Sequence, residues 1–183
     1  MNKTNGKIAK QSKEKIAKAL LVIMEQYHFK EITITQIAQE AELSRKTFYR
    51  LFSDKEEVLT YLFDNLYTEC FAQMKERKVQ HYWDVVQCYF DFWEAHNSLL
   101  TLLKKNNLLT FLFEGYYQYS FEIFEYVRTK EIVDEYSSTL PYMLAYSVGG
   151  MHSMLMKWVE EDMKIPSSLL IEKLKNGFMS AEI

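Results

Sequence analysis

The run Ser44-Arg45-Lys46-Thr47, followed by Tyr49 and Arg50, gathers two guanidinium groups, one ammonium and three hydroxyls within seven residues. Three of these donors are cationic and all can hydrogen-bond, a set suited to a phosphate backbone and to the edges of bases. No other stretch of the chain points to one chemistry. The four histidines, His28, His81, His96 and His152, have no i,i+4 metal spacing and no nearby cysteine. There is no phosphate-binding glycine loop, no dinucleotide fingerprint and no nucleophile elbow. Glu114, Glu122 and Glu125 share one helical stretch but lack the Glu-x-x-His motif of a di-iron site. The sequence therefore predicts no enzyme, no metal and no cofactor.

Presenting that run requires two short helices and a tight turn. Thr33-Ile34-Thr35-Gln36 reads as a capping box, in which the Thr33 hydroxyl accepts from the Gln36 backbone N–H and Gln36 reaches back. The helix it opens runs to about residue 41. Glu42-Leu43 forms the turn, and Ser44 caps a helix over residues 45–52. Ile37, Ala41, Leu43 and Phe48 are the apolar anchors that clamp the pair, and Ala38 is small where they cross. The basic face is then left outward, with its N-terminal end nearest the bases of a major groove. Ser53-Asp54-Lys55-Glu56 reads as another capping box, starting a helix that reaches about residue 77. Ahead of the pair, residues 10–27 are helical, with Ile16, Leu20, Ile23 and Tyr27 along one face. Residues 1–7 read as frayed, and Phe29 as an apolar plug beneath the connector.

The whole chain has 183 residues, 48% apolar, with two prolines and five glycines, and helical periodicity runs nearly throughout. The predicted class is all-α. Net charge is −3, yet residues 1–60 carry eleven Lys/Arg against eight Asp/Glu, and residues 61–183 carry eleven against seventeen. A basic end on an acidic body suits a protein that meets a polyanion at one end, although a solvated lysine face gives the same balance. Cys70 and Cys88 are too few for a disulfide framework and read as buried thiols. No apolar run follows the N-terminal lysines and none is long enough to span a bilayer, so a cytoplasmic protein away from membranes is expected. Later helices are predicted around Trp83, Val86, Phe90 and Trp93, then Leu99 to Leu103, residues 108–128, and a helix from Ile132 or Leu140 to Glu161. A last helix, capped by Ser167, carries Leu170, Ile171, Leu174 and Phe178 on one side.

Residues 33–57 closely resemble the DNA-binding domain of the TetR/AcrR family of transcriptional regulators. The resemblance rests on Thr33, Ile37-Ala38, Ala41, Leu43-Ser44, Thr47-Phe48-Tyr49, Phe52 and Ser53-Asp54-Lys55-Glu56. It implies a three-helix helix-turn-helix domain over residues 1–53 and a helical effector-binding and dimerisation domain over residues 54–183. It also implies that Thr33, Thr35, Tyr49 and Lys55 face phosphate, that Arg45, Lys46 and Thr47 behind the Ser44 cap read bases, and that Arg50 serves either role. Two positions depart from the family pattern: Glu42 stands where the turn usually has glycine, and Leu51 replaces a commoner polar or aromatic residue.

A single helix-turn-helix touches one half-site of double-stranded DNA, so a homodimer is expected. The resemblance assigns its interface to residues 142–159 and 167–178, which include Ala145, Gly149, His152, Met156, Leu170 and Leu174. Gly149-Gly150 permits close helix approach there, or else marks a kink. The aromatic stretch from residue 83 to 126 supplies core, and the resemblance adds a pocket for a small apolar or aromatic effector, with Trp93, Phe113, Tyr116, Tyr117 and Phe121 as candidates. The implied function is a homodimeric repressor released from its operator by an effector. The alternative is an all-α interaction module or co-regulator of the same fold that responds to a protein partner.

Overall fold

The computed structural model describes residues 3–128 and 130–180, and the chain divides into two compact units, Met1–Asn65 and Leu66–Ile183. All regular structure among the described residues is helical.

The first unit is built from α1 (Lys3–Gln26), a 3₁₀ turn (Phe29–Glu31), α2 (Ile34–Glu40), α3 (Arg45–Leu51) and the first part of α4 (Lys55–Glu76). Helix α1 packs on α2 and α3, and α2 on α3. Ile16, Leu20, Met24, Ile37, Phe48, Phe52 and Leu59 are sealed in its core. Burying each such side chain is worth roughly 1.5–3 kcal/mol, which fixes the two short helices that propensity alone would leave melted. Helix α1 begins at Lys3, earlier than the polar composition of residues 1–7 predicts. Tyr27, expected on the buried face of α1, is instead exposed beyond its last turn, while Phe29 is buried as expected.

The cap of α4 sits one residue later than the sequence reading. Asp54 Oδ1 accepts from the Glu57 N–H at 2.8 Å, and Glu57 reaches back to the Ser53 N–H at 2.6 Å. A carboxylate is a stronger acceptor than the Ser53 hydroxyl, and Asp54 takes the cap position while Ser53 Oγ donates to it. The bond from the Ser53 backbone N–H is the largest cause holding the Glu57 carboxyl below its ordinary range.

The second unit holds the rest of α4 with α5 (Tyr82–Ala95), α6 (Asn97–Lys105), α7 (Phe111–Val127), α8 (Lys130–Glu135), α9 (Leu140–Glu160) and α10 (Ser167–Ser180). Helix α7 packs along α9, α5 along α10, and α6 on α9. The core is aromatic: Tyr67, Tyr89, Phe90, Phe92, Trp93, Tyr116 and Trp158 are all buried. Tyr67 donates its hydroxyl to the Leu112 carbonyl, and Trp158 Nε1 donates to the Ile165 carbonyl at 2.7 Å. Lys104 closes the C-terminal end of α9, donating to the Val159 and Glu160 carbonyls and to Asp162. No described helix is long and apolar enough to cross a membrane.

Candidate nucleic-acid interface

Two N-caps fix the geometry of the basic helix and its partner. At α2, Thr33 Oγ1 accepts from the Gln36 N–H at 3.3 Å, while Gln36 Oε1 accepts from the Thr33 N–H at 2.9 Å and its hydroxyl at 2.8 Å. At α3, Ser44 Oγ accepts from the Thr47 N–H at 3.0 Å, and the two hydroxyls lie 2.9 Å apart. Between the caps, Leu43 N–H donates to Ala38 O at 2.8 Å, closing the end of α2 over Glu42. Glu42 has φ 55°, the left-handed region that glycine takes without strain. The family glycine would relieve that conformation, and here the packing of Ala38, Ala41 and Phe48 holds a glutamate in it.

With Phe48 turned inward, α3 presents Arg45, Lys46, Tyr49 and Arg50 to solvent, and Thr47 half-buried beside its cap. Tyr49 stands edge-on to the Phe48 ring, 52% exposed, so its hydroxyl end is held away from the core. Among the described residues no ion pair engages Arg45, Lys46 or Arg50. Thr33 and Thr35 are exposed at the N-terminus of α2, where unpaired N–H groups and the helix dipole favour an anion. The structure thus puts eight of the nine expected residues, Thr33, Thr35, Ser44, Arg45, Lys46, Thr47, Tyr49 and Arg50, on α2 and α3 or their caps. The ninth, Lys55, turns back into the domain: its ammonium donates to the carbonyls of Phe29, Lys30 and Ile32. On α1, Lys7, Lys10, Lys15 and Lys18 are exposed, whereas Lys13 lies over the Phe52 and Tyr61 rings.

In the second unit the five aromatic pocket candidates are not brought together. Trp93 is in the core, Phe113 packs on His152 at 5.0 Å, and Tyr117 meets Phe121 edge-on. Tyr116 alone of the five lines a cavity of about 240 Å³ between α5, α7 and α9, with Tyr82, Ile123, Ser147, Val148 and Met151. Its buried hydroxyl has a thioether acceptor, Met151 Sδ at 3.6 Å. On α7, residues 116, 120, 123 and 127 share the cavity face; 113 lies on the same side one turn earlier, against His152, and 117 and 121 are rotated away from it. Helical spacing was visible in the sequence, but which face meets α9 was not.

Of the dimer candidates, Ala145 is exposed, and Gly149, His152, Met156, Leu170 and Leu174 are half-buried. A Cβ built at Gly149 or Gly150 meets nothing within 4 Å, and α9 runs unbroken through the pair. Tyr142 and Tyr146, inside the stretch assigned to the interface but not among its named candidates, share the face of Ala145 and Gly149 and are about four-fifths exposed.

Residues 16–62 match the family of bacterial regulatory proteins of the tetR type. The chain is also similar to the HTH-type dhaKLM operon transcriptional activator DhaS of Lactococcus lactis subsp. lactis, with 29% identity over 89 residues. That similarity covers 49% of this chain and 40% of the length of the relative. No solved structure is a significant match to the chain. The matched segment holds the capped helix pair and its basic face, so that over residues 16–62 the chain carries the N-terminal domain of the tetR family of bacterial regulatory proteins.

Proposed function

We propose that this protein is a sequence-specific DNA-binding transcriptional regulator that acts as a homodimer. The observation that carries the reading is the outward face of α3, where Arg45, Lys46 and Arg50 are exposed with no ion pair among the described residues. Cations held on a short, N-capped helix are a costly use of surface unless an anion meets them. In this reading residues 1–53 dock on DNA, Arg45, Lys46 and Thr47 read base edges, and Thr33, Thr35, Ser44, Tyr49 and Arg50 hold the flanking phosphates. Two such domains address half-sites about 34 Å apart. Residues 54–183 would supply the twofold contact, through the Tyr142–Tyr146–Gly149 face of α9 and through α10.

The action proposed is repression, relieved when a small apolar or aromatic effector enters the cavity beside Tyr116 and shifts the population between two dimer shapes. The relative named as an activator favours a second reading, in which the bound dimer promotes transcription. Control by a protein partner in place of the effector leaves the DNA-docking residues in the same roles. A gel-shift titration over a salt series, using the DNA flanking the protein's own gene, tests the shared part. Affinity that falls steeply with salt is expected, and no salt-dependent binding to any duplex would overturn it. Transcript levels of the neighbouring genes in a deletion strain then separate repression, where they rise, from activation, where they fall.

A further inference from the structure

We infer that Lys55 is a positioning residue for the DNA-docking face, pinning the start of α2, and not itself a phosphate ligand. An ammonium has three N–H donors and no acceptor. In Lys55 they meet three carbonyls of the connector between α1 and α2: Phe29 at 2.6 Å, Lys30 at 3.1 Å and Ile32 at 2.9 Å. The same ammonium lies 4.7 Å from the centroid of the Phe29 ring, a buried side chain. Its donors are therefore fully used inside the unit, and it is half-buried, unlike Lys46 on α3.

The consequence is geometric. Ile32 directly precedes Thr33, the N-cap of α2, and Lys55 is the first residue of α4. One side chain thus ties the N-terminal ends of two helices together across 23 residues of sequence. The hydroxyls of Thr33 and Thr35 are held at a fixed place relative to α4. A phosphate drawing Lys55 outward would leave three converging carbonyls without their cation. Lys55 contributes to DNA affinity by holding those threonines in place, and adds no counterion release of its own.

This rests on the DNA-binding reading above, and the test separates the two. The variants are Lys55→Met, which keeps the stem and removes the ammonium, and Arg50→Met as an exposed comparison proposed to meet phosphate, with Lys55→Arg used where Lys55→Met does not fold. Each is measured for affinity to the flanking DNA over a salt series and for amide hydrogen exchange across residues 1–65. For Lys55→Met we expect affinity at fixed salt to fall about tenfold, the cost of one misplaced contact set. The salt slope stays at the wild-type value, while Arg50→Met makes it shallower by about 0.9 per neutralised phosphate contact. Exchange accelerates at residues 32–36 and not through the core of α1. Lys55→Arg shows the same pattern, because a planar fork does not fit three carbonyls converging on one nitrogen. Adding Thr35→Ala to Lys55→Met costs less affinity than Thr35→Ala costs in the wild type, since the threonine is already displaced. A shallower slope for Lys55→Met with unchanged exchange would show a phosphate ligand and overturn the inference. So would unchanged affinity, full additivity with Thr35→Ala, or accelerated exchange throughout residues 1–65, which would mark a general structural role. Absence of salt-dependent DNA binding by the wild type would remove the functional reading alone, and the exchange data would still decide whether Lys55 pins α2.

Discussion

Glu42 carries a local strain that a single substitution can release. At φ 55° a side chain costs ~1 kcal/mol relative to glycine. Glu42→Gly is therefore expected to raise the stability of the first unit by ~0.5–1 kcal/mol in urea unfolding, allowing for the larger entropy of the unfolded glycine. It also removes an exposed carboxylate next to the α3 cap, so DNA affinity should rise modestly at low salt. A destabilised Glu42→Gly protein would mean that the carboxylate makes a compensating contact. The exposed residues of α3 divide by what they are proposed to touch. Arg45→Ala or Lys46→Ala should cost ~1–3 kcal/mol on the preferred site and little on others, flattening base preference in a site-selection assay. Tyr49→Phe removes a phosphate donor and should weaken all sequences alike. The proposed docking geometry fails if all three leave operator affinity unchanged.

At the scale of elements, the helix-turn-helix was legible because its signals are local. Thr33 and Gln36, Ser44 and Thr47, and the apolar set Ile37, Ala38, Ala41 and Phe48 act within a few residues of one another. What sequence did not show was contact at long range. Lys55 reaches back 26 residues to Phe29, and its place on a helix start reads equally well as a phosphate contact. The cavity face of α7 depends on its pairing with α9, which aromatic spacing does not reveal. Caps carry a pH dependence of definite sign. Glu57 has a lowered pKa in the folded chain through its bonds from Ser53, relative to an ordinary value of 4.5. Its contribution is thus present above that value and is lost as pH falls through the depressed folded value. Glu57→Gln should flatten that acid-linked loss in an acid titration followed by far-ultraviolet circular dichroism, leaving the profile above about pH 6 unchanged. An identical acid limb in the variant would assign the loss to other carboxylates, of which Asp91 is the best placed. Its desolvation is outweighed by bonds from Arg77, Gln87 and Ser167 that keep it lowered.

For the whole molecule, the proposed function requires two basic domains to act together. One set of three α3 cations reaches a single half-site, and the remainder of the chain, with its acidic excess, adds no attraction to DNA. Strong binding then depends on a second copy, because a linked half-site meets its DNA at an effective concentration near millimolar. The Tyr142–Tyr146 face of α9 is the surface this proposal uses: two tyrosines about four-fifths exposed, beside Gly149 and Gly150, where an added Cβ would meet nothing within 4 Å. Glycines in a helix interior cost ~0.5–1 kcal/mol each against alanine. The open space beside them leaves room for another helix to close on α9. Two variants separate assembly from folding. Gly149→Ala should raise the unfolding free energy of the isolated chain while weakening self-association. Tyr146→Glu should leave the fold intact, since the residue is exposed, yet shift sedimentation from dimer to monomer. DNA affinity should fall with it by ~10²–10⁴-fold, the loss of bivalency, whereas binding to a single half-site stays as it was. A wild-type chain that sediments as a monomer at every concentration, or a Tyr146→Glu dimer with full affinity, would move the twofold contact off this face of α9.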